Sequence, residues 1–295
     1  MSTAEGKRAG GGDDTTGAVT RALDWTSSKD LFINYPCPPT QVDVACSRTI
    51  SCKRLPVYFG GYYNKWARGL SQSPWLIDDE VHGDGSVQEC IQHVVAPHLR
   101  ADRYKFNSAG REDIDVRMTG TGRPFVFEVY NMHAEMPSKE RFQEMQAELE
   151  ASDCGVTVQQ LQPADKELFD KLHEGERDKR KVYRAVVWVA RAVQQSDLDK
   201  LSDMRELEIQ QRTPVRVLHR RSPLVRPRLI HKMTAKAIPG NPHYIVIDLE
   251  TQAGTYIKEF VHGDFGRTAP SIGSLIGCET EILQLDVIHV DMEFL

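Results

Sequence analysis

The apolar runs of this chain are strand-sized, and that narrows the folds open to it. "AVVWVA" is among the longest. Nothing approaches the ~20 consecutive apolar residues a membrane-crossing helix needs, so no membrane association is expected. Strands are predicted in "KVYRAVVWVAR", "HYIVIDLETQ", "EILQLDVIHVDM" and Phe125 to Val129. A further extended stretch, "QVDVACSRTISCKRLPVYFGG", is expected to close on Gly60 and Gly61 as its turn. Helical spacing lies between these runs. "SVQECIQHVVAPHL" sets Val87, Ile91, Val94 and Val95 on one face behind Ser86, a good N-cap. "PSKERFQEMQAELEAS" begins at Ser138, and shorter helices fit "ADKELFDKLHEG" and "QSDLDKLSDM". Helices and strands interleave without a regular βαβ rhythm, which predicts an α+β fold with a mixed sheet flanked by helices.

With 295 residues, 40% of them hydrophobic, the chain can bury one large core or two moderate ones. Residues 1–45 are expected to be a disordered tail or linker: the start is rich in Gly, Ser and Thr and has no apolar segment of the secretory kind. The six cysteines show no C-x-x-C spacing. That predicts free thiols in a reducing, intracellular setting (cytoplasm, nucleus or an organelle) and no zinc site. A net charge of −5 does not announce a nucleic-acid binder, yet Arg212 to Lys236 holds eight Lys and Arg and no acid. Such a block, with Arg212, Arg216, Arg220, Arg221, Arg226 and Arg228, suits a polyanion as well as it suits a plain solvated face.

The densest chemistry lies in "REDIDVR", residues 111–117, between glycines and a strand. If the segment is extended, Asp113 and Asp115 share a face, as a metal-binding pair would. The flanking Arg111 and Arg117 would compete with a cation, and no third carboxylate stands at a suitable spacing. Two readings remain open from these residues: an aspartate kept ionised by guanidinium groups for nucleophilic attack, and a structural ion-pair cluster. Downstream, Tyr183 lies between Lys181 and Arg184 and suits stacking on a base, or half-burial in a strand. Lys258 opens a helix after a turn, where it can pair with an aspartate or face solvent. Leu283, Leu285 and Val287 are expected on one face of a strand, as core or as the wall of a pocket.

Four longer segments bear a resemblance. "GGYYNKWARGLSQSPW", "AGREDIDVRMTGTGRPF", "QQRTPVRVLHRR" and "ETQAGTYIKEFVHGDFGRTAPSIGSLIGCETEILQLDV" together resemble the pseudouridine synthase 10 family, archaeal and eukaryotic enzymes of tRNA positions 54 and 55. The resemblance runs from about residue 50 to the end. It implies the pseudouridine synthase catalytic fold over 46–295, a mainly antiparallel sheet with the active-site cleft across it. It also implies an isomerase of the tRNA T-arm that needs no cofactor, no metal and no obligate protein partner. Through "GREDIDVR" the catalytic aspartate falls on Asp113, with Arg111 nearby and Asp115 in support. Through "KVYRA" the active-site tyrosine falls on Tyr183. "GTYIK" assigns the basic partner to Lys258 and a pocket wall to Ile257, and "GCETEILQL" assigns another wall residue to Leu285. Two departures stand out. The family's N-terminal THUMP-containing zinc domain is not expected here, because only about 50 residues precede the match and they carry no C-x-x-C, and Tyr62 occupies a position where an arginine is expected. A catalytically silent RNA-binding module of the same fold is the alternative. A glycosidase using Asp113 and Asp115 fits less well, because such carboxylates need ~5 Å or more between them.

Overall fold

A computed structural model describes residues 16–27, 30, 33, 49–50, 54–77, 80–292 and 294–295. The chain divides into two compact units, Met1–Cys52 and Lys53–Leu295. In the first, α1 spans Thr16–Trp25. Cys37, Cys46, Cys52 and most of the extended stretch expected before residue 54 lie outside the described residues.

The second unit is organised by a ten-stranded mixed sheet. Its strands are β1 (Val57–Lys65), β4 (Arg103–Ser108), β5 (Arg117–Tyr130), β6 (Val156–Ala164) and β7 (Lys181–Val189). They continue with β8 (Arg205–Arg212), β9 (Val225–Ile238), β10 (Asn241–Thr251), β11 (Thr268–Ala269) and β12 (Thr280–Val290). The hydrogen-bonded order is β11-β8-β9-β10-β7-β12-β5-β1-β6, with β4 also paired to β5. β2 (Leu76–Ile77) and β3 (Glu80–Val81) form a separate ribbon. All pairs in the main sheet are antiparallel except β5 with β12. The helices are α2 (Val87–Leu99), α3 (Lys139–Ala151), α4 (Lys166–Asp178), α5 (Gln195–Asp203), α6 (Ile257–His262) and α7 (Ile272–Ile276). The α+β class is therefore as expected.

Local chemistry explains the elements that could be read. Ser86 and Ser138 accept from the backbone N–H of Glu89 and Arg141, so both predicted caps satisfy a donor that the helix leaves free. Val87, Ile91, Val94, Val95 and Leu99 are buried along α2. The run Arg123–Val129 in β5 is buried on both faces, and Phe125 and Phe127 join Phe59, Phe106 and Phe142 in an aromatic core.

Three expectations are corrected. Gly60 and Gly61 are not a turn but the middle of β1. A Cβ on either would stand 2.7 Å from a carbonyl oxygen of a neighbouring strand, Phe125 O or Gln159 O, so glycine here permits close backbone approach. Leu283 does not share the face of Leu285 and Val287: the register shifts between Ile282 and Gln284, and Leu283 is 53% exposed while the other two are buried. Residues 113–115 are not extended but form a turn, with Val116 N–H donating to Asp113 O at 3.0 Å.

Candidate active site

The sheet brings distant segments to one place through its register. The single parallel pairing sets Arg117 and Met118 opposite Asp286 and Val287, so the turn carrying Asp113 and Asp115 leads into β5 beside Leu285. On the other side of β12, Val287 faces Tyr183 and Leu285 faces Ala185. The α6 helix lies against β12 and carries Ile257, Lys258 and Glu259. Tyr183, Ile257, Lys258 and Leu285 thus converge on the Asp113 turn from three further elements. Ile257 and Leu285 are both buried, and Tyr183 is partly so.

The carboxylate of Asp113 meets two cations. Arg216 Nη1 lies 3.0 Å from its Oδ2, and Lys258 Nζ lies 3.3 Å from the same oxygen. Lys258 is closer still to Asp115, donating to both of its oxygens at 2.7 Å. Its ammonium thus bridges the two carboxylates. Burial pulls the Asp115 carboxyl up, but the hydrogen bond and charge of Lys258 outweigh it and hold the group below the usual carboxylate range. Asp113 stays 35% exposed, open on the side away from its partners.

The sequence groups Arg216 with phosphate-binding arginines; the structure instead sets its guanidinium against the acids of the site, with the side chain still 38% exposed. Its Nε donates to Glu259 Oε1 at 2.7 Å, and its guanidinium lies 5.8 Å from the centre of the Tyr256 ring. Glu259 is 2% exposed, and among the described residues its Oε2 has no hydrogen-bond partner. The chain Glu259–Arg216–Asp113–Lys258–Asp115 alternates in sign along its length. An open cleft of about 240 Å³ adjoins it, lined by Asp115, Arg216, Lys258, Glu259, His262 and residues 281–285.

The other arginines divide into two sets. Arg212, Arg220 and Arg221 are exposed. Arg226 and Arg228 are partly buried and bound locally: Arg226 Nη1 donates to Thr213 Oγ1 at 3.1 Å, and Arg228 Nε donates to Gly254 O at 3.2 Å. Burial, with Arg226 beside it, lowers Arg228 from the usual arginine range. Arg111 is exposed, 3.5 Å from Ser73 Oγ, and Arg117 is exposed at the start of β5. The guanidinium that reaches Asp113 therefore belongs to neither neighbour in "REDIDVR" but to a residue about a hundred positions away.

What holds the turn in place comes from "GGYYNKWARGLSQSPW". Lys65, fully buried, donates to Leu70 O at 2.7 Å, Asp113 O at 3.1 Å and Ile114 O at 3.2 Å. Burial lowers its ammonium pKa, against the raising influence of Glu112, Asp115 and Asp113. Arg68 ties Asp115 O at 2.6 Å to Leu285 O at 2.9 Å and to Asp286 Oδ1 at 2.6 Å. Gln72 donates to Gly110 O at 2.8 Å, Ser108 Oγ at 2.6 Å and Tyr63 Oη at 2.9 Å. Glu112, the third acid of the motif, points into the core: it accepts from Arg123 Nε and Tyr63 Oη, both at 2.9 Å, and its side chain is 0% exposed. Gly110 adopts φ +88, and a Cβ there would stand 2.9 Å from Lys181 Nζ. Sequence reasoning passed over Lys65, Arg68, Gln72 and Glu259 as functional supports. The available signal was that the first three sit inside "GGYYNKWARGLSQSPW", with Lys65 at the end of an aromatic strand. Tyr62 has its own use: its hydroxyl accepts from Phe294 and Leu295 N–H, each at 3.2 Å.

Comparison with known proteins places this arrangement in context. The family description "Pus10, C-terminal" matches residues 58–291. A relative from Homo sapiens, "tRNA pseudouridine synthase Pus10", is 42% identical over 278 residues, covering 94% of this chain and 52% of that protein. One of the same description from Thermofilum pendens is 38% identical over 241 residues, covering 80% of this chain and 53% of the relative. The chain thus spans about half the length of these curated relatives. Among solved structures, a chain of "a Cbf5-Nop10-Gar1 Complex" matches 78% of this chain and 48% of its own length, at 15% identity and a TM-score of 0.42.

Proposed function

The chain belongs to the Pus10 C-terminal family, and we propose that it isomerises uridine to pseudouridine in the T-arm of tRNA, at position 55, 54 or both. The observation that carries the reading is the Asp113 carboxylate, accessible on one side and held by Lys258 and Arg216 on the other. The reaction breaks the bond between C1′ and N1, turns the base, and joins C1′ to C5. The proton on C5 leaves and N1 gains one, so atoms balance without cofactor or oxidant.

Asp113 either attacks C1′ or takes a ribose proton in an elimination route, and both need an ionised carboxylate. Arg216 and Lys258 hold the carboxylate in place through charge-assisted contacts. Tyr183 stacks on the extruded base, while Ile257 and Leu285 keep water from it and strengthen the electrostatics inside. Taking the uridine out of its stack costs a few kcal/mol, about 2 to 4. Phosphate contacts from the exposed Arg212, Arg220 and Arg221 offset that cost. Incubating the chain with unmodified tRNA, then mapping pseudouridine at single-nucleotide resolution, tests the reading and decides between positions 54 and 55. Absence of pseudouridine at both positions contradicts it.

A further inference from the structure

The turn after α6 presents a large aromatic ring to solvent. Phe265 is 96% exposed, the highest value among the exposed large hydrophobics of the described residues. It lies in a run of four left-handed residues, with φ of +83 at Gly263, +47 at Asp264, +56 at Phe265 and +80 at Gly266. A bulky side chain is uncommon at such a φ. Burial does not compensate for that strain here, because the ring is outside.

The turn is nevertheless fixed. Asp264 N–H donates to His262 Nδ1 at 3.0 Å, and Thr268 N–H donates to Gly263 O at 3.0 Å. It is also tied to the start of the basic segment. Asp264 Oδ2 accepts from Val215 N–H at 3.2 Å, Arg267 Nη2 donates to Thr213 O at 2.6 Å, and Arg212 N–H donates to Arg267 O at 2.9 Å. The 3-10 turn Val215–Val217, to which Asp264 is bonded, is the one that sends Arg216 to Asp113. A ring on a rigid mount thus stands beside a segment bearing the exposed Arg212, Arg220 and Arg221, within a few bonded links of the candidate site. The adjoining acid in the chain, Asp264, is 6% exposed and lies 3.4 Å from Arg267 Nε, so its charge is buried and paired.

We propose that Phe265 is a stacking contact for a nucleobase of the RNA substrate outside the reaction pocket, flanking the target uridine. An exposed π-face next to guanidinium groups is the combination that binds an unstacked base and its adjoining phosphate. Basic surroundings favour RNA over an apolar protein partner or a second copy of this chain. The inference rests on the tRNA reading above, and its test separates the two.

The test measures binding of unmodified tRNA to the full chain across a salt series, for wild type, Phe265→Ala, Phe265→Tyr and Arg220→Ala, with the melting temperature of each. Phe265→Ala is expected to weaken binding about tenfold with the salt slope unchanged, because a stacking contact releases no counterions. Phe265→Tyr keeps wild-type affinity, and Arg220→Ala makes the slope shallower. Wild-type affinity in Phe265→Ala overturns the inference. So does a loss of affinity shared by Phe265→Tyr, or a change in oligomeric state in place of RNA binding. If wild type binds tRNA but forms no pseudouridine while Phe265→Ala binds more weakly, the proposed activity falls and the stacking contact stands. If wild type does not bind tRNA, both fall.

Discussion

Burial pushes the Tyr183 phenol up to about 12, with the charges of Glu112 and Asp113 adding to the rise against the lowering effect of Arg123. The ring therefore stays a neutral phenol throughout the range in which RNA is handled. Any part it takes in moving the C5 proton starts from that neutral form. The rate of uridine isomerisation should show no break from this group below about pH 11. A pH–rate profile that breaks near the ordinary tyrosine value of ~10, and loses that break in Tyr183→Phe, would contradict this. Arg216 yields a second expectation. Arg216→Ala removes a cation from Asp113 and leaves the buried Glu259 carboxylate unpaired, which costs about 3 kcal/mol of stability. Adding Glu259→Gln should recover part of that loss without restoring the rate. At saturating tRNA, Arg216→Lys should lower kcat, whereas Arg220→Ala should raise KM. A pure KM effect in Arg216→Lys would return that residue to the phosphate-binding set.

At the scale of elements, what could be read was what followed one period. The capped helices and the strands β7 and β10 follow 3.6- or 2-residue patterns and stand where the sequence predicts; β12 stands there too, with its alternation broken by register shifts. Strands β8 and β9 were hidden because their outward positions carry charge: Lys232 and Lys236 alternate with the buried Met233 and Ala235, so the segment reads as a basic block. Gly60 and Gly61 misled for a related reason. Glycine marks turns, but it also marks places where strands crowd, and only the neighbours decide. The β1 strand shows how an element serves the site, since it ends in Lys65, whose ammonium gathers three carbonyls, two of them in the Asp113 turn. Lys65→Met keeps the volume and removes the donors. It should destabilise the fold by about 3 kcal/mol, the scale of several lost hydrogen bonds from a charged group, and lower kcat with tRNA affinity unchanged. A variant with wild-type melting temperature and kcat would show that the turn holds itself.

Over the whole molecule, the candidate site is made by topology. Asp113, Tyr183, Arg216, Lys258 and Leu285 lie far apart in sequence, and the sheet joins them by setting β12 between β5 and β7. Strand order is not written in hydrophobic periodicity, so composition and spacing alone left "REDIDVR" as either an ion-pair turn or a nucleophile. The structure shows a buried ion pair at Glu112 and, at Asp113, a carboxylate that is ion-paired yet 35% exposed. Resemblance to a family named the residues that meet, but neither Arg216 as the second cation nor the support from Lys65, Arg68 and Gln72. The central claim is that the charge on Asp113 performs the isomerisation. Asp113→Asn changes that charge with little change of shape. Single-turnover conversion of unmodified tRNA, with binding and melting temperature measured on the same samples, tests it most directly. The account predicts that Asp113→Asn folds and binds tRNA as wild type does yet forms no pseudouridine; pseudouridine formed at the wild-type rate would contradict it.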